Sequence, residues 1–572
     1  MKKNIIINGI AGCLLLGGAA SCADDYLDLA PVTSVSTDMI HTSIEGAENA
    51  VTGLYRSMYM QYGDWDANNR FVNGEAWMMT FYGDVFSPDA FYNIWAPFGV
   101  QMYGWSVIND KDTWIPGRMW SYCYNLINQA NQILVGIDTM NSGTEQRRQA
   151  VKAQALTMRA HAYIHLLQLY APRWEDSENG SKKVLVLRTV PGDGDMGLST
   201  QAEAMELVYS DLEEAIRLFE DSRFSRQGKY AVDKSVAQGL FARAAMMKND
   251  WQKAYDMAKA ARSGYAIMSS DTYKAGFVDE TTESMWNNPL DPQWMYYYSW
   301  GSIYSTTGVY ACYGAGFGAG SMSYDLYKQM DANDVRRELY FMPDKSLRRP
   351  LTSASFWNAS IIDETTMNLN GKNANMNISL EAFGNKVNPD PNRFVVPYSN
   401  EAGTKLDASV IVPFGAQYKF WGEGIYAIQC FPFMRASEMA LYEAEAAYRL
   451  GKIAEAQAAL TDVNSNRIAN YTCTSTGQAL MDEIMFTSRV ELWGEGHTWI
   501  NMKRWNVSAV RRPWVAGDVE SNNVPAQFQI NKSASDNRGW VYTIPRVELD
   551  YNHAIRIDEV VGLIAKEPSK EE

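Results

Sequence analysis

Histidine is the scarcest chemistry-bearing side chain here, with five among 572 residues. So few imidazoles disfavour an enzyme built on histidine, while leaving carboxylate chemistry open. Cysteine is equally sparse. Cys13 and Cys22 fall near the N-terminus, and Cys123, Cys312, Cys430 and Cys473 are scattered through the rest. No Cys-x-x-Cys spacing occurs, so neither a zinc site nor a disulfide framework is indicated, and pairing among the four is not fixed by the sequence. Positive charge is in deficit, with 51 Lys and Arg against 66 Asp and Glu and a net charge of −15. A nucleic-acid backbone would be repelled. A mean hydropathy of −0.30 argues against a polytopic membrane protein. The glycine run from Gly314 to Gly320 lacks the lysine of a phosphate-cradling loop and reads as a surface loop. His161 and His165 stand one helical turn apart, but Ala162 takes the place of the glutamate of His-Glu-x-x-His, so no metal site is assigned.

Aromatic residues are abundant: 12% of the chain, with 18 Trp and 33 Tyr. Rings beyond the needs of a core usually serve binding surfaces. The N-terminus reads as an export signal over residues 1–21, with Lys2 and Lys3 ahead of an apolar stretch from Ile5 to Ala20. Ala19-Ala20-Ser21-Cys22 resembles a lipobox, which makes Cys22 the expected lipidated residue. Ile10-Ala11-Gly12-Cys13 fits the letters better, but cleavage there would leave a short apolar core and expose Leu14, Leu15 and Leu16. A plain secretory signal is the alternative. Asp24 and Asp25, in an extended linker, 22–43, resemble the surface-export signal of lipoproteins, and a solvated linker with stray charges is an equal alternative.

Apolar residues recur at helical spacing in 44–60, 120–137, 148–170, 201–219, 234–248, 250–263, 435–450, 452–467 and 481–493. Two stretches break the pattern, about 61–118 and 265–432, and both are rich in Gly, Pro, Asn and rings. An internal repeat aligns Ala244-Ala245 through Asn249 to Ala254 with Ala446-Ala447 through Gly451 to Ala456. Small residues close-pack one helix, Asn or Gly turns the chain, and a second helix begins. This resembles the tetratricopeptide hairpin, whose period is ~34 residues.

Stronger resemblances lie near the C-terminus. Arg435-x2-Glu438-x2-Leu441-x2-Ala444-Glu445-Ala446, then Leu460-x2-Val463-Asn464-x2-Arg467, resemble consecutive helices of the SusD/RagB family. Arg489-x-Glu491-Leu492-x2-Glu495-Gly496 through Arg504-Trp505 resembles its Arg-x-Glu-Leu-x-x-Glu-Gly motif, and Ile544-Pro545-x2-Glu548-x3-Asn552 its closing motif. His497, Thr498, Asn501 and Thr543 depart from the usual letters while the spacing is kept. Upstream, Trp120-x3-Tyr124-x2-Ile127-x2-Ala130-Asn131 and Arg159-Ala160-x2-Tyr163-x2-Leu166 resemble the family's first helices. From the residues themselves, Arg435, Glu438, Tyr442 and Glu445 share a helix stripe and read as a buried polar network joining helices.

The resemblance implies a mainly α fold, with tetratricopeptide-like hairpins at about 44–60, 119–264 and 433–505 inside one domain, 44–572, large irregular loop regions and minor β structure. It implies a non-enzymatic lipoprotein of the outer membrane, facing the exterior and without a cofactor. Such a protein captures oligosaccharide and hands it to a SusC-like TonB-dependent transporter. The loops would carry the ligand site, with Trp65, Trp95, Trp294, Tyr296 and Trp300 stacking on sugar rings and Asn68, Arg70 and Asn93 bonding hydroxyls. Two alternatives stand beside it. One is a surface glycoside hydrolase using carboxylates such as Asp84, Asp89, Asp291 and Glu423; the other is a family member that binds peptide or another nutrient.

Overall fold

The computed structural model describes residues 37–59, 74–84, 86–91, 105–192, 194–277, 279–289, 321–340, 367–368, 377–378, 393–399, 406–413, 419–420, 430–524, 526, 529–536 and 540–560. Among these, fifteen α-helices dominate and strands form only two-stranded antiparallel pairs. The fold is therefore mainly α with minor β.

Helices α1 (Thr37–Thr42), α2 (Ile44–Tyr59) and α3 (Glu75–Asp84) precede the long α4 (Trp114–Ile137) and α5 (Glu145–Tyr170). Then come α6 (Gln201–Ser222), α7 (Lys234–Lys248), α8 (Trp251–Ala261), α9 (Ser270–Lys274) and α10 (Tyr324–Tyr327). The last group is α11 (Ala436–Arg449), α12 (Ile453–Asn464), α13 (Gly477–Glu491), α14 (Thr498–Trp505) and α15 (Arg546–Tyr551). Local chemistry fixes many of the ends. Thr200 and Glu203 make a reciprocal capping box on α6, and Asp233 and Asp250 accept N-terminal amides of α7 and α8. Each such cap contributes about 1 kcal/mol. The repeat seen in the sequence is structural: Asn249 (φ 59°) and Gly451 (φ 74°) take the left-handed conformation that turns one helix into the next.

The helices stack in series, α4 on α5, α5 on α6, α6 on α7, α7 on α8, α8 on α11 and α11 on α12. Ala244, Ala245, Ala254, Ala258, Ala440, Ala444 and Ala447 are fully buried, which lets these backbones approach closely. Because α8 packs directly on α11, the stretch between α9 and α11 is an insertion into a continuous helical stack. Its ends are tied together where Pro432–Arg435 pairs with Ser284–Asn287.

Six helices went unread in the sequence, α1, α3, α9, α10, α14 and α15, and α1 lies within the stretch expected to be an extended linker. In α3, Met78, Met79, Thr80, Phe81, Tyr82, Gly83 and Asp84 are all buried, so no polar face exists to create a periodic signal. The eight-residue α14 follows the glycines at 494 and 496 and lies against α3. Arg435 also differs from expectation: it ends the strand Pro432–Arg435 rather than joining the stripe of α11.

Candidate functional site

The lipidation residue Cys22 and the expected ligand contacts Trp65, Asn68, Arg70, Asn93, Trp95, Trp294, Tyr296 and Trp300 lie outside the described residues, as do Asp291, Glu423 and the Gly314–Gly320 run. What the structure places is the frame from which the ring-rich segments spring. Ala90–Phe91, at the start of residues 92–104, pairs antiparallel with Ser321–Met322, at the end of residues 290–320. The Ser323 amide donates to the Asp89 carbonyl at 2.8 Å, extending the junction. Two stretches some 230 positions apart in sequence thus share one root.

Several rings of these stretches belong to the core. Phe81, Tyr82 and Trp286 are buried, and Trp114 stacks on Phe81 at 5.7 Å between centroids. Trp286 donates through Nε1 to the Tyr230 carbonyl at 3.1 Å and meets the His161 ring edge-on at 4.8 Å. The stacked helices need these rings as cover on one side, and their burial follows from that.

Beneath the root lies a dense buried polar interior. Glu75, on α3, receives the Tyr122 hydroxyl on Oε2 at 2.5 Å, while His161 and His165 Nε2 lie 3.1 and 2.7 Å from its Oε1. Burial alone would raise the Glu75 carboxyl, but the two imidazoles outweigh it and hold the group well below the usual carboxylate range. Among the described residues this is the one set whose ligand atoms fall close enough to hold a metal, within 4.8 Å of one another. Its hydrogen bonds already clamp α3 to α4 and α5. Glu75 was invisible in the sequence as the partner of the histidine pair, because 86 positions separate it from His161.

A larger cluster joins the C-terminal helices to the insertion's ends. Arg435 Nη1 donates to Glu283 and Glu491, each at 2.9 Å, and its Nε donates to Glu495 at 2.7 Å. Arg467 Nη2 donates to Glu491 at 2.9 Å and Glu283 at 3.1 Å. Arg336 bridges Asp334 and Glu491, and Lys419 Nζ bonds Glu495 and two backbone carbonyls. Burial pushes the Lys419 ammonium down to about 8 against the pull of Glu495. Of the four residues read as one network, Arg435 joins this cluster, which centres on Glu491, whereas Glu438 pairs with Arg243 and Glu445 with Arg504.

The carboxylates considered for glycoside hydrolysis are engaged structurally where they are described. Asp84 accepts the Gly496 amide at 2.7 Å and the Thr498 amide at 3.3 Å, so it caps α14 from another helix, and burial pushes its carboxyl up to about 7. Asp89 takes a two-pronged bond from Arg489, at 2.5 and 2.7 Å. Both carboxylates are buried, and Asp89 holds the strand that roots the ring-rich segments.

The motif residues are therefore the joints of the scaffold, and comparison with known proteins agrees. Residues 25–246 match a SusD-like profile described as starch-binding associating with outer membrane, and residues 246–556 match the profile of the SusD family. The chain belongs to the SusD family. A SusD-like protein of Bacteroides ovatus is 23% identical over 257 residues, covering 44% of this chain and 40% of that one. SusD-like protein P2 of Formosa agariphila is 25% identical over 240 residues, 40% of this chain and 45% of that one. The matched stretch thus spans less than half of either curated relative. Structural likeness runs further. A SusD-like carbohydrate binding protein from Bacteroides vulgatus superposes with a TM-score of 0.67 at 19% identity, over 91% of this chain and 98% of that one. Surface glycan-binding protein A from Bacteroides thetaiotaomicron, solved with laminarihexaose, gives 0.59 at 16%, over 90% and 98%. These likenesses show the SusD fold. Among the described residues of this SusD-family chain, no helix is long and apolar enough to cross a membrane.

Proposed function

We propose that this protein is a cell-surface glycan-binding lipoprotein, lipidated at Cys22, that captures oligosaccharide and delivers it to a SusC-like TonB-dependent transporter. One observation carries the reading: two ring-rich stretches far apart in sequence are rooted side by side on one rigid helical stack. A shared root lets rings from both stretches act on one ligand, and a preorganised frame lowers the ordering cost of binding. Family membership across residues 25–556 supports the glycan class, as does the laminarihexaose held by one structural neighbour. The export signal and Cys22 support lipid anchoring, and family membership supports the transporter partner.

The protein acts by binding and not by catalysis. Asp84 and Asp89, the described candidates for a hydrolytic pair, are committed to buried structural bonds. The platform is formed by Trp65, Trp95, Trp294, Tyr296 and Trp300, with Asn68, Arg70 and Asn93 on hydroxyls. Affinity electrophoresis in gels carrying neutral polysaccharides tests this. Trp95→Ala and Trp300→Ala are each expected to weaken retention about three- to tenfold, the loss of one stacking contact. Unchanged retention in both variants would show the platform to be misplaced, and release of reducing ends from the polysaccharide would favour a hydrolase.

A further inference from the structure

A concavity of about 600 Å³ opens on the helical scaffold. One wall is a stripe of α4 carrying Asn125, Asn128 and Gln132; the others are Arg188 and Val190, after α5, and Tyr551, which ends α15. None of these residues belongs to the ring-rich stretches. The volume lies within the ~300–1,000 Å³ typical of small-molecule sites.

The cleft is built on a buried polar framework. Residues 186–192 and 194–196 form no helix or strand, yet side chains grip their backbone as a neighbouring strand would. The Tyr124 hydroxyl donates to the Val186 carbonyl at 2.7 Å and accepts its amide at 3.1 Å. Tyr163 does the same for Arg188, at 3.0 and 2.8 Å. Asn552 does so for Met196, its Nδ2 donating at 2.9 Å and its Oδ1 accepting at 3.0 Å. Asn131 Nδ2 donates to the Arg188 carbonyl at 3.0 Å, and its Oδ1 accepts from Arg159 Nη1 at 2.9 Å. Arg159 is fixed in turn by two bonds to Asp211, at 2.8 and 2.7 Å. A segment held at three successive places by paired bonds keeps its shape without a ligand, which is the condition for low-cost binding.

The lining states the ligand's chemistry. Its one cation and one anion neutralise each other: Arg188 Nη2 lies 3.8 Å from Glu548, and Arg188 Nη1 donates to the Gly194 carbonyl at 2.9 Å. Glu548 also accepts from Trp120 Nε1 at 3.1 Å and from Asn552 Nδ2 at 2.8 Å. A phosphate or carboxylate ligand would find no spare positive charge. The amides of Asn125 and Gln132 each offer a donor and an acceptor, and Asn128 offers its Nδ2 donor and a second lone pair on the Oδ1 that takes the Gly192 amide at 3.4 Å, as hydroxyl-rich ligands require. Tyr551 is 79% exposed and Val190 62% exposed, giving apolar surface for sugar C–H faces. We propose that this cleft is a second binding site for neutral saccharide, carried by the helical scaffold and independent of the loop platform. The choice of saccharide among uncharged polyols rests on the function proposed above; the cleft and its neutrality do not.

The test uses the full mature chain in affinity electrophoresis against neutral glucan, mannan and xylan, with Tyr551→Ala and Asn128→Ala made in the wild type and in a Trp95→Ala/Trp300→Ala background. Both side chains are exposed, so the fold should be kept, and a circular-dichroism melt checks it. In the double-Trp background residual retention is expected, and each cleft substitution should weaken it about three- to tenfold. Crystals soaked with laminarihexaose or maltohexaose should show sugar between Asn128 and Tyr551. Retention unaffected by the cleft substitutions in both backgrounds overturns the proposal. Complete loss in the double-Trp background overturns it as well while leaving the platform intact, and failure of the wild type to bind any of the glycans overturns both readings. Loss confined to the cleft variants supports the second site and displaces the first.

Discussion

Glu491 offers the sharpest test of the scaffold. Four cations (Arg336, Arg435, Arg467 and Lys419) and four carboxylates (Asp334, Glu283, Glu491 and Glu495) meet in one buried cluster, so its formal charge is zero. Burial alone would raise the Glu491 carboxyl, but Arg467, Arg435 and Arg336 together hold it well below the usual carboxylate range. Glu491→Gln keeps the shape and leaves one uncompensated positive charge among side chains exposed by 2% or less. Breaking a buried pair in this way costs about 3–5 kcal/mol, against a typical total stability of about 5–15 kcal/mol. At ~2.1 cal/mol/K of unfolding entropy per residue, a loss of this size in so long a chain should lower the melting temperature by roughly 2–5 °C. An exposed pair gives the scale: Arg217→Ala, which breaks its bonds to Glu214 and Asp221, should cost less than about 1 kcal/mol. Thermal and urea melts of both variants make the comparison. Adding Arg467→Met to Glu491→Gln restores neutrality and should recover part of the loss. If Glu491→Gln melts no earlier than Arg217→Ala, water must reach the cluster, and the account of a dry, charge-balanced joint is wrong. Acid tests the same point from the other side. A depressed carboxyl contributes stability fully above its unfolded value near 4.5, and that stability is lost as pH falls through the lower folded value.

Two further outcomes follow from α3. A Cβ on Gly83 would stand 1.8 Å from the Gly496 carbonyl oxygen, a backbone atom, so Gly83→Ala must separate α3 from the loop before α14 and should cost about 3 kcal/mol or more in a urea melt. Asp84, raised to about 7 by burial, gives the opposite pH signature to Glu491. Its contribution is complete below about pH 4 and is lost as pH rises through about 7, so the penalty of Asp84→Asn should be larger near about pH 5 than near about pH 8. A penalty that grows with pH would show Asp84 to be a fully ionised cap.

Much of the scaffold was legible because its helices are amphipathic. In α6, the buried residues Ala204, Met205, Val208, Leu212, Ala215 and Phe219 keep helical spacing, and polar residues fill the gaps. The same pattern places α2, α8 and α12 close to their observed ends. The stripe argument failed at Arg435, which an antiparallel pairing with Ser284 holds in a strand, and at α3, where burial on every side erases periodicity. Glu75 and Lys419 carried no local signal at all. Each stands in a stretch without pattern, and its partners lie 47 to 90 positions away. The cleft beside α4 was equally unreadable, since its amides look like any solvated helix face until Arg188, Val190 and Gly192 and the end of α15 are folded over it.

The sequence by itself determined the helices, their turns at Asn249 and Gly451, the net negative charge and the family, because these depend on residue type at short range. Only the tertiary structure decided which charges meet, which rings are core and where the two ring-rich stretches are rooted. Those outcomes depend on contacts between residues scores to hundreds of positions apart. A buried charge or ring is stabilised by whichever group the fold brings within a few ångströms, and neighbouring letters do not record that.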